Sequence, residues 1–160
     1  QETQKKMRST AAVLCIEENS ACWGHVGDSR IYRLTEGRIF PMTEDHSVTY
    51  KKYMAGEITR NEMNFDEDRS RLLRSLGNED GCQPDISRLA DGEKLHSGDG
   101  FLLCTDGFWE YLYEEEMLID FMKTETAAQW GKFMLLRIMD RIMPGSDNLT
   151  FQAVRIREES

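Results

Sequence analysis

Apolar residues fall in short runs through most of this chain, and a helical period takes over only in its last third. Residues 10–16 (Thr-Ala-Ala-Val-Leu-Cys-Ile) form a nearly continuous apolar run, the pattern of a strand buried on both faces or facing a core. A Glu-Asn-Ser turn at 18–20 and an apolar return over 21–26 complete a hairpin. Residues 31–34 and 38–40 flank Thr35-Glu36-Gly37, a second hairpin with Gly37 where a positive φ is needed. Strand signals recur at 71–76, 85–89 and 101–104. Two short helices are expected over 108–113 and 114–123, the second opening on glutamates that its dipole favours. The longest helix should span 126–143, because Trp130, Phe133, Met134, Ile138 and Ile142 recur three and four residues apart. Pro144-Gly145 ends it, and 149–156 alternates as a last strand. The first six residues are polar and expected to fray.

Between 47 and 71 the chain turns charged and only weakly helical. Gly56 should end a short helix that starts near Ser47, and Thr59 is placed to cap another reaching Phe65. So little apolar surface suits a mobile flap better than a core element. Many antiparallel strands with a few added helices predict an α+β fold, a two-layer antiparallel β-sandwich flanked by helices. At 160 residues the chain reads as one domain, 1–160, carrying the 47–71 flap.

The formal net charge of -9 leaves no basic stripe to neutralise phosphates, so nucleic acid is excluded as a partner. With no long apolar span and no signal peptide, neither a membrane partner nor secretion is expected, and the location predicted is cytoplasmic. Cys15, Cys22, Cys82 and Cys104 lack the paired spacing of a zinc site. Three of them, Cys15, Cys22 and Cys104, lie in apolar runs and read as small buried hydrophobes.

Asp28, Asp106 and Asp147 each stand where an apolar run stops and a turn begins. Strands ending together would aim these carboxylates into one space, where they repel unless a cation separates them. Oxygen donors without His or thiol suit a hard cation, Mg or Mn. Glu110 follows Asp106 by four residues, so both would project from one side of a helix's first turn. Each position also has a purely local explanation. Asp28 suits a turn, Asp106 an N-cap and Asp147 an Asx turn.

Taken in order, the motifs resemble the metal-dependent serine/threonine protein phosphatases of the 2C type, in their bacterial branch. The similarity rests on Gly27-Asp28-Ser29-Arg30, the Thr-x-Asp-His-Ser pattern at 43–47, and Gly56-Glu57-Ile58-Thr59. It continues through Arg74-Ser75-Leu76-Gly77, Thr105-Asp106-Gly107-Phe108-Trp109-Glu110 and Ser146-Asp147-Asn148-Leu149-Thr150. The resemblance implies that Asp106 and Asp147 hold a pair of Mg or Mn ions about 4 Å apart. Asp28 and Glu110 would join Asp106 around a third ion, with Ser29, Gly107 and Asn148 as neighbours of the site. It implies a metal-bound water as nucleophile, with no catalytic side chain, and a phosphorylated protein as substrate. Gly56, Glu57, Ile58 and Thr59 would select that substrate.

Members of the family carry an Asp-Gly-x-Gly-Gly turn upstream of the strand that starts here near Met7, and this chain does not contain it. The domain is therefore expected to be incomplete at its N-terminus, with low activity alone and an uncovered sheet surface open to self-association. The alternative function is a non-catalytic phosphatase-like module, regulatory or phosphoprotein-binding. A plain acidic scaffold with chance motifs is a third, more remote reading.

Overall fold

The computed structural model describes residues 7–78 and 81–157; the expected fraying of residues 1–6 lies outside them. Among the described residues, seven strands form two antiparallel sheets. The first has the order β1-β2-β5, from β1 (Ala11–Glu17), β2 (Ser20–Val26) and β5 (Asp85–Arg88). The second has the order β4-β3-β6-β7, from β3 (Arg30–Thr35), β4 (Arg38–Pro41), β6 (Gly100–Cys104) and β7 (Phe151–Arg155). Both expected hairpins form, Ala11 facing Val26 in one and Thr35 facing Arg38 in the other. Glu36 and Gly37 take φ of 50° and 71°, the left-handed pair that a two-residue turn between twisted strands requires.

One face of the four-stranded sheet packs on helices and the other on the three-stranded sheet. Tyr32, Leu34, Leu102 and Cys104 meet residues of α2 (Asp106–Trp109), α3 (Glu114–Met122) and α4 (Ala127–Arg141) in the larger core. Phe101 joins Ala21, Leu89 and Leu95 in a smaller core between the sheets. Thr126 caps α4 by accepting the Gln129 N–H at 3.1 Å, while Gln129 reaches back to the Thr126 N–H. The expected α4 stripe is correct for Trp130, Met134 and Ile138, which are fully buried, whereas Phe133 and Ile142 stay exposed.

Several expectations need correction. Of the two readings of the 10–16 run, the strand facing a core holds and burial on both faces does not: Leu14 packs against the smaller core, while Val13 and Cys15 on the outer face are exposed. Cys22 pairs with Cys15 across the hairpin, shares that outer face, and is exposed too; only Cys104 is the buried thiol expected. The 71–76 segment is no strand. It makes two isolated bridges, Ser47 to Leu72 and Ser9 to Leu76, as it crosses between elements. The helix expected over 108–113 is one turn, Asp106–Trp109, and 149–156 pairs only as Phe151–Arg155.

Between β4 and β5, Ser47 caps α1 (Val48–Met54), and Gly56 follows with φ 73°. Thr59 and Glu62 bond each other reciprocally at the entry to a 3-10 turn, Glu62–Phe65, shorter than the expected helix. Met63 from this turn is buried, so the segment is pinned to the body at one apolar point.

Trp130 anchors the helical layer: it is fully buried, its indole N–H donates to the Met117 carbonyl at 3.0 Å, and Phe121 meets its ring edge-on. Trp130→Ala should destabilise the protein by about 3–5 kcal/mol in denaturant melts. Phe133→Ala, one turn round on the open face, should change it by less than about 1 kcal/mol. Equal losses from both would mean that α4 is covered on both sides.

Candidate metal centre

Of the three aspartates expected to share one space, the structure brings Asp106 and Asp147 to one cleft and leaves Asp28 outside its lining. β6 delivers Asp106 through a single residue, and the loop before β7 delivers Asp147 beside it. The two meet where the Thr105 N–H donates to the Thr150 carbonyl at 3.0 Å. Gly107 is required by this approach, since a Cβ there would lie 2.5 Å from the Asn148 carbonyl oxygen. Its N–H donates to an Asp106 carboxylate oxygen at 2.8 Å, and the Asn148 N–H does the same for Asp147 at 2.7 Å. One oxygen of each aspartate is thus engaged by a backbone N–H.

Asp106, Glu110 and Asp147 line one cleft of about 710 Å³. Asp28 is buried at the turn between β2 and β3, does not line the cleft, and feels the charge of Asp106. Its main-chain carbonyl accepts the Trp109 indole N–H at 3.0 Å, which ties its turn to α2. Ser29 is also buried and bonds the Thr10 hydroxyl at 2.8 Å.

The acids disturb one another. Burial, then the charges of Asp106 and Asp45, push the Asp28 carboxyl up to about 7. Burial also raises Asp106, with Asp147 adding to it and the Gly107 N–H opposing. Glu110 is raised by burial and by Asp106, with Arg69 and Arg60 pulling the other way. The four acids feel one another's charge, but among the described residues no three of them bring donor atoms within 4.8 Å of one another; oxygen donors of this kind would suit a hard divalent cation. Asp106, Glu110 and Asp147 would hold it from the cleft, with Asp28 as the further donor.

The predicted flap residues Gly56, Glu57, Ile58 and Thr59 do not line this cleft. The residues just after them do: Arg60, Asn61, Asn64, Phe65, Arg69 and Ser70. Arg60 donates to the Trp109 carbonyl at 3.1 Å and Asn64 to the Glu110 carbonyl at 2.8 Å, so the segment docks on the helix that carries the acids. Only their charge or amide type marks Arg60, Asn64 and Arg69 in the sequence, and nothing there shows which way they face.

The sequence reading also missed the roles of Arg30 and Asp45, although both stand inside quoted motifs. They form a buried two-point ion pair, 2.9 and 2.7 Å, beneath the site. Nearby, His25, His46 and Asp85 bring three donor side chains within 4.8 Å of one another. Their hydrogen bonds oppose a metal there. The Gly27 N–H points at His46 Nδ1, which leaves the proton on Nε2, bonded to Asp85 at 3.0 Å.

The raised Asp28 carboxyl has a consequence for stability. Its folded pKa, about 7, lies above the ordinary value near 3.9, so the ion-free fold binds the extra proton. Stability from this group is complete below about pH 4 and is lost as pH rises through 7. In chelator, the melting temperature should fall from pH 5 to pH 8, and Asp28→Asn should raise it at pH 8 by roughly 5 °C. Manganese should reverse that order. Melting curves for Asp28→Asn that track the wild type at both pH values would show that Asp28 ionises there without penalty.

Comparison with known proteins bears on the family and the fold. The family profile described as Protein phosphatase 2C matches residues 1–135. Protein phosphatase PhpP of Streptococcus pneumoniae is 30% identical over 158 residues, 99% of this chain and 62% of its own length. Serine/threonine phosphatase stp of Listeria monocytogenes is 30% identical over 144 residues, 90% of this chain and 55% of its own. The chain thus spans under two thirds of these relatives. Among solved structures, Stp1 from Staphylococcus aureus superposes with a TM-score of 0.82 at 25% identity, over 96% of this chain and 58% of that one. The catalytic domain of PstP, solved with two manganese ions, gives 0.79 at 22% identity over 95% and 60%, and shares the fold. By profile match and fold alike, the chain belongs to the protein phosphatase 2C family.

Proposed function

We propose that the protein hydrolyses phosphoserine and phosphothreonine in protein substrates, using manganese or magnesium held by Asp28, Asp106, Glu110 and Asp147. The observation that carries this reading is the cleft itself. Three carboxylates line its floor, and Arg60, Arg69 and Arg141 line the same space. Carboxylates alone would repel a phosphate dianion, and arginines alone would bind it without turnover. When bound, the ions supply an activated water and offset the charge of the phosphate oxygens.

The chain's own residues supply position. Asp106 and Asp147 are each fixed by a backbone N–H, and Glu110 is held at the end of a helical turn whose carbonyls are tied to the 47–71 segment. The cleft, with Tyr111 and Tyr113 on its wall, is open enough for a phosphorylated side chain on a peptide. The manganese reported for the PstP catalytic domain belongs to that protein, and the donor set here is of the same hard character. Among the described residues no helix is long and apolar enough to cross a membrane, and a cytoplasmic location belongs to the same proposal.

The whole protein should hydrolyse p-nitrophenyl phosphate and phosphothreonine peptides in the presence of manganese. Asp106→Asn should lower the rate at least about 100-fold, a loss of more than about 2.7 kcal/mol of barrier lowering. Iodoacetamide should leave the rate unchanged, since none of the four cysteines lines the cleft and Cys104 is buried. Loss of activity on alkylation before any unfolding would indicate cysteine chemistry instead. Manganese binding without turnover on any phosphopeptide would favour the non-catalytic module.

The 47–71 segment is the proposed selector of substrate. Gly56, Glu57, Ile58 and Thr59 stand outside the cleft and precede the residues that line it, so their influence would run through Arg60 to Phe65. Replacing the four by alanine should change the ranking of phosphopeptides and leave p-nitrophenyl phosphate turnover within about five-fold. A collapse of both by orders of magnitude would make the segment part of the catalytic centre.

A further inference from the structure

Gly27 precedes the buried Asp28 in the turn between β2 and β3, with φ 100°. A Cβ there would lie 2.3 Å from Thr10 Cγ2, so only glycine fits. Glycine also has the loosest backbone of any residue, and a turn built on it does not fix its own shape. Something outside the turn has to hold the carboxylate that follows.

His46 meets Gly27 on both sides. Its own N–H donates to the Gly27 carbonyl at 2.9 Å, and its ring Nδ1 accepts the Gly27 N–H at 3.2 Å. The opposite ring nitrogen, Nε2, bonds Asp85 at 3.0 Å. Asp85 is in turn held by two bonds from Arg74, at 2.7 and 3.0 Å. His25 stacks on the imidazole with ring centres 4.4 Å apart, and its Nε2 bonds the Glu44 carbonyl at 2.8 Å. The His46 carbonyl accepts the Leu73 N–H at 2.8 Å, so the backbone that carries the ring is fixed as well. The imidazole therefore has one orientation and one tautomer available to it.

We propose that His46 is a positioning residue for Asp28: it clamps Gly27 through both peptide groups, and Asp85 and Arg74 lock the imidazole that does so. Three separated stretches of sequence thereby act on one carboxylate, at residues 27–28, 46 and 74–85. The proposal rests on reading Asp28 as a cation ligand. His46 touches neither the cleft nor any proposed donor oxygen, so its effect has to pass through the backbone of Gly27.

The side-chain geometry of Asn and Gln separates the two ring bonds. An Asn oxygen overlays Nδ1 and still accepts the Gly27 N–H, whereas a Gln amide nitrogen overlays Nε2 and reaches only Asp85. Two readouts are needed. One is amide hydrogen exchange at Gly27, measured in chelator. The other is titration with manganese(II) chloride, followed by the electron paramagnetic resonance signal of the free ion.

His46→Asn should keep both within about three-fold of wild type. His46→Gln and His46→Leu should speed Gly27 exchange at least ten-fold and weaken manganese binding about ten-fold. Asp85→Ala should give an intermediate loss in both. If His46→Leu does not fold, the comparison of Asn with Gln decides alone, since both are polar amides of similar size. Indistinguishable Asn and Gln variants would overturn the clamp, as would unchanged exchange and binding in all four variants. A wild-type chain that takes up no manganese removes the cation reading, and the role given to His46 falls with it. A wild type that binds while every variant binds alike overturns the clamp and leaves that reading intact.

Discussion

The structure depends on one buried ion pair. Arg30, at the start of β3, donates through Nε and one terminal nitrogen to both oxygens of Asp45, and only a few per cent of either residue is exposed. Charge in such a place is tolerated only when every donor is engaged. The remaining terminal nitrogen donates to the Tyr32 hydroxyl, and the Trp109 ring lies 3.6 Å over the guanidinium. One side chain thus joins β3, the loop before α1 and the helix bearing Glu110. Breaking such a pair by removing one partner typically costs about 3–5 kcal/mol, because the survivor is left charged and buried. An arginine suits this position where a lysine would not, since its flat fork meets a carboxylate at two points and also stacks on an indole.

The acidic site is built on that support. Trp109 shields Arg30 with its ring face and holds the Asp28 carbonyl with its N–H. The positive charge beneath the site is already committed to Asp45, so little of it relieves Asp28, whose carboxyl is driven up by burial and by Asp106. The fold therefore keeps a set of acids in mutual conflict at the end of its core. A divalent cation held there, as proposed, would remove the conflict and turn a destabilising feature into a binding one.

The charged excursion after β4 has a definite attachment. Arg60 and Asn64 bond the carbonyls at the end of α2, Tyr113 reaches Asn61 at 2.9 Å, and Lys52 bridges Asp66 and Asp68. Phe65, by contrast, is almost wholly exposed at the cleft edge. Polar bonds fix the segment on both sides of Phe65 while its ring stands exposed beside the cleft.

Hydrophobic period, turn residues and caps are local, so the sequence alone determined the two hairpins, the β6 strand, the α3 and α4 helices and the α+β class. It also determined the candidate acids, because a carboxylate where an apolar run stops is visible without a structure. What it could not determine depends on which face meets which. Val13, Cys15 and Cys22 look like core residues in a list of apolar runs, yet they fall on the outer face of β1 and β2. The 71–76 segment has strand-like residues but no neighbouring edge to pair along. His46 and Arg30 look like ordinary polar residues until tertiary folding brings Gly27 against the one and Asp45 against the other. Hydrogen-bond partners 15, 19 and 39 residues away leave no mark in local composition, and only the packed chain decides them.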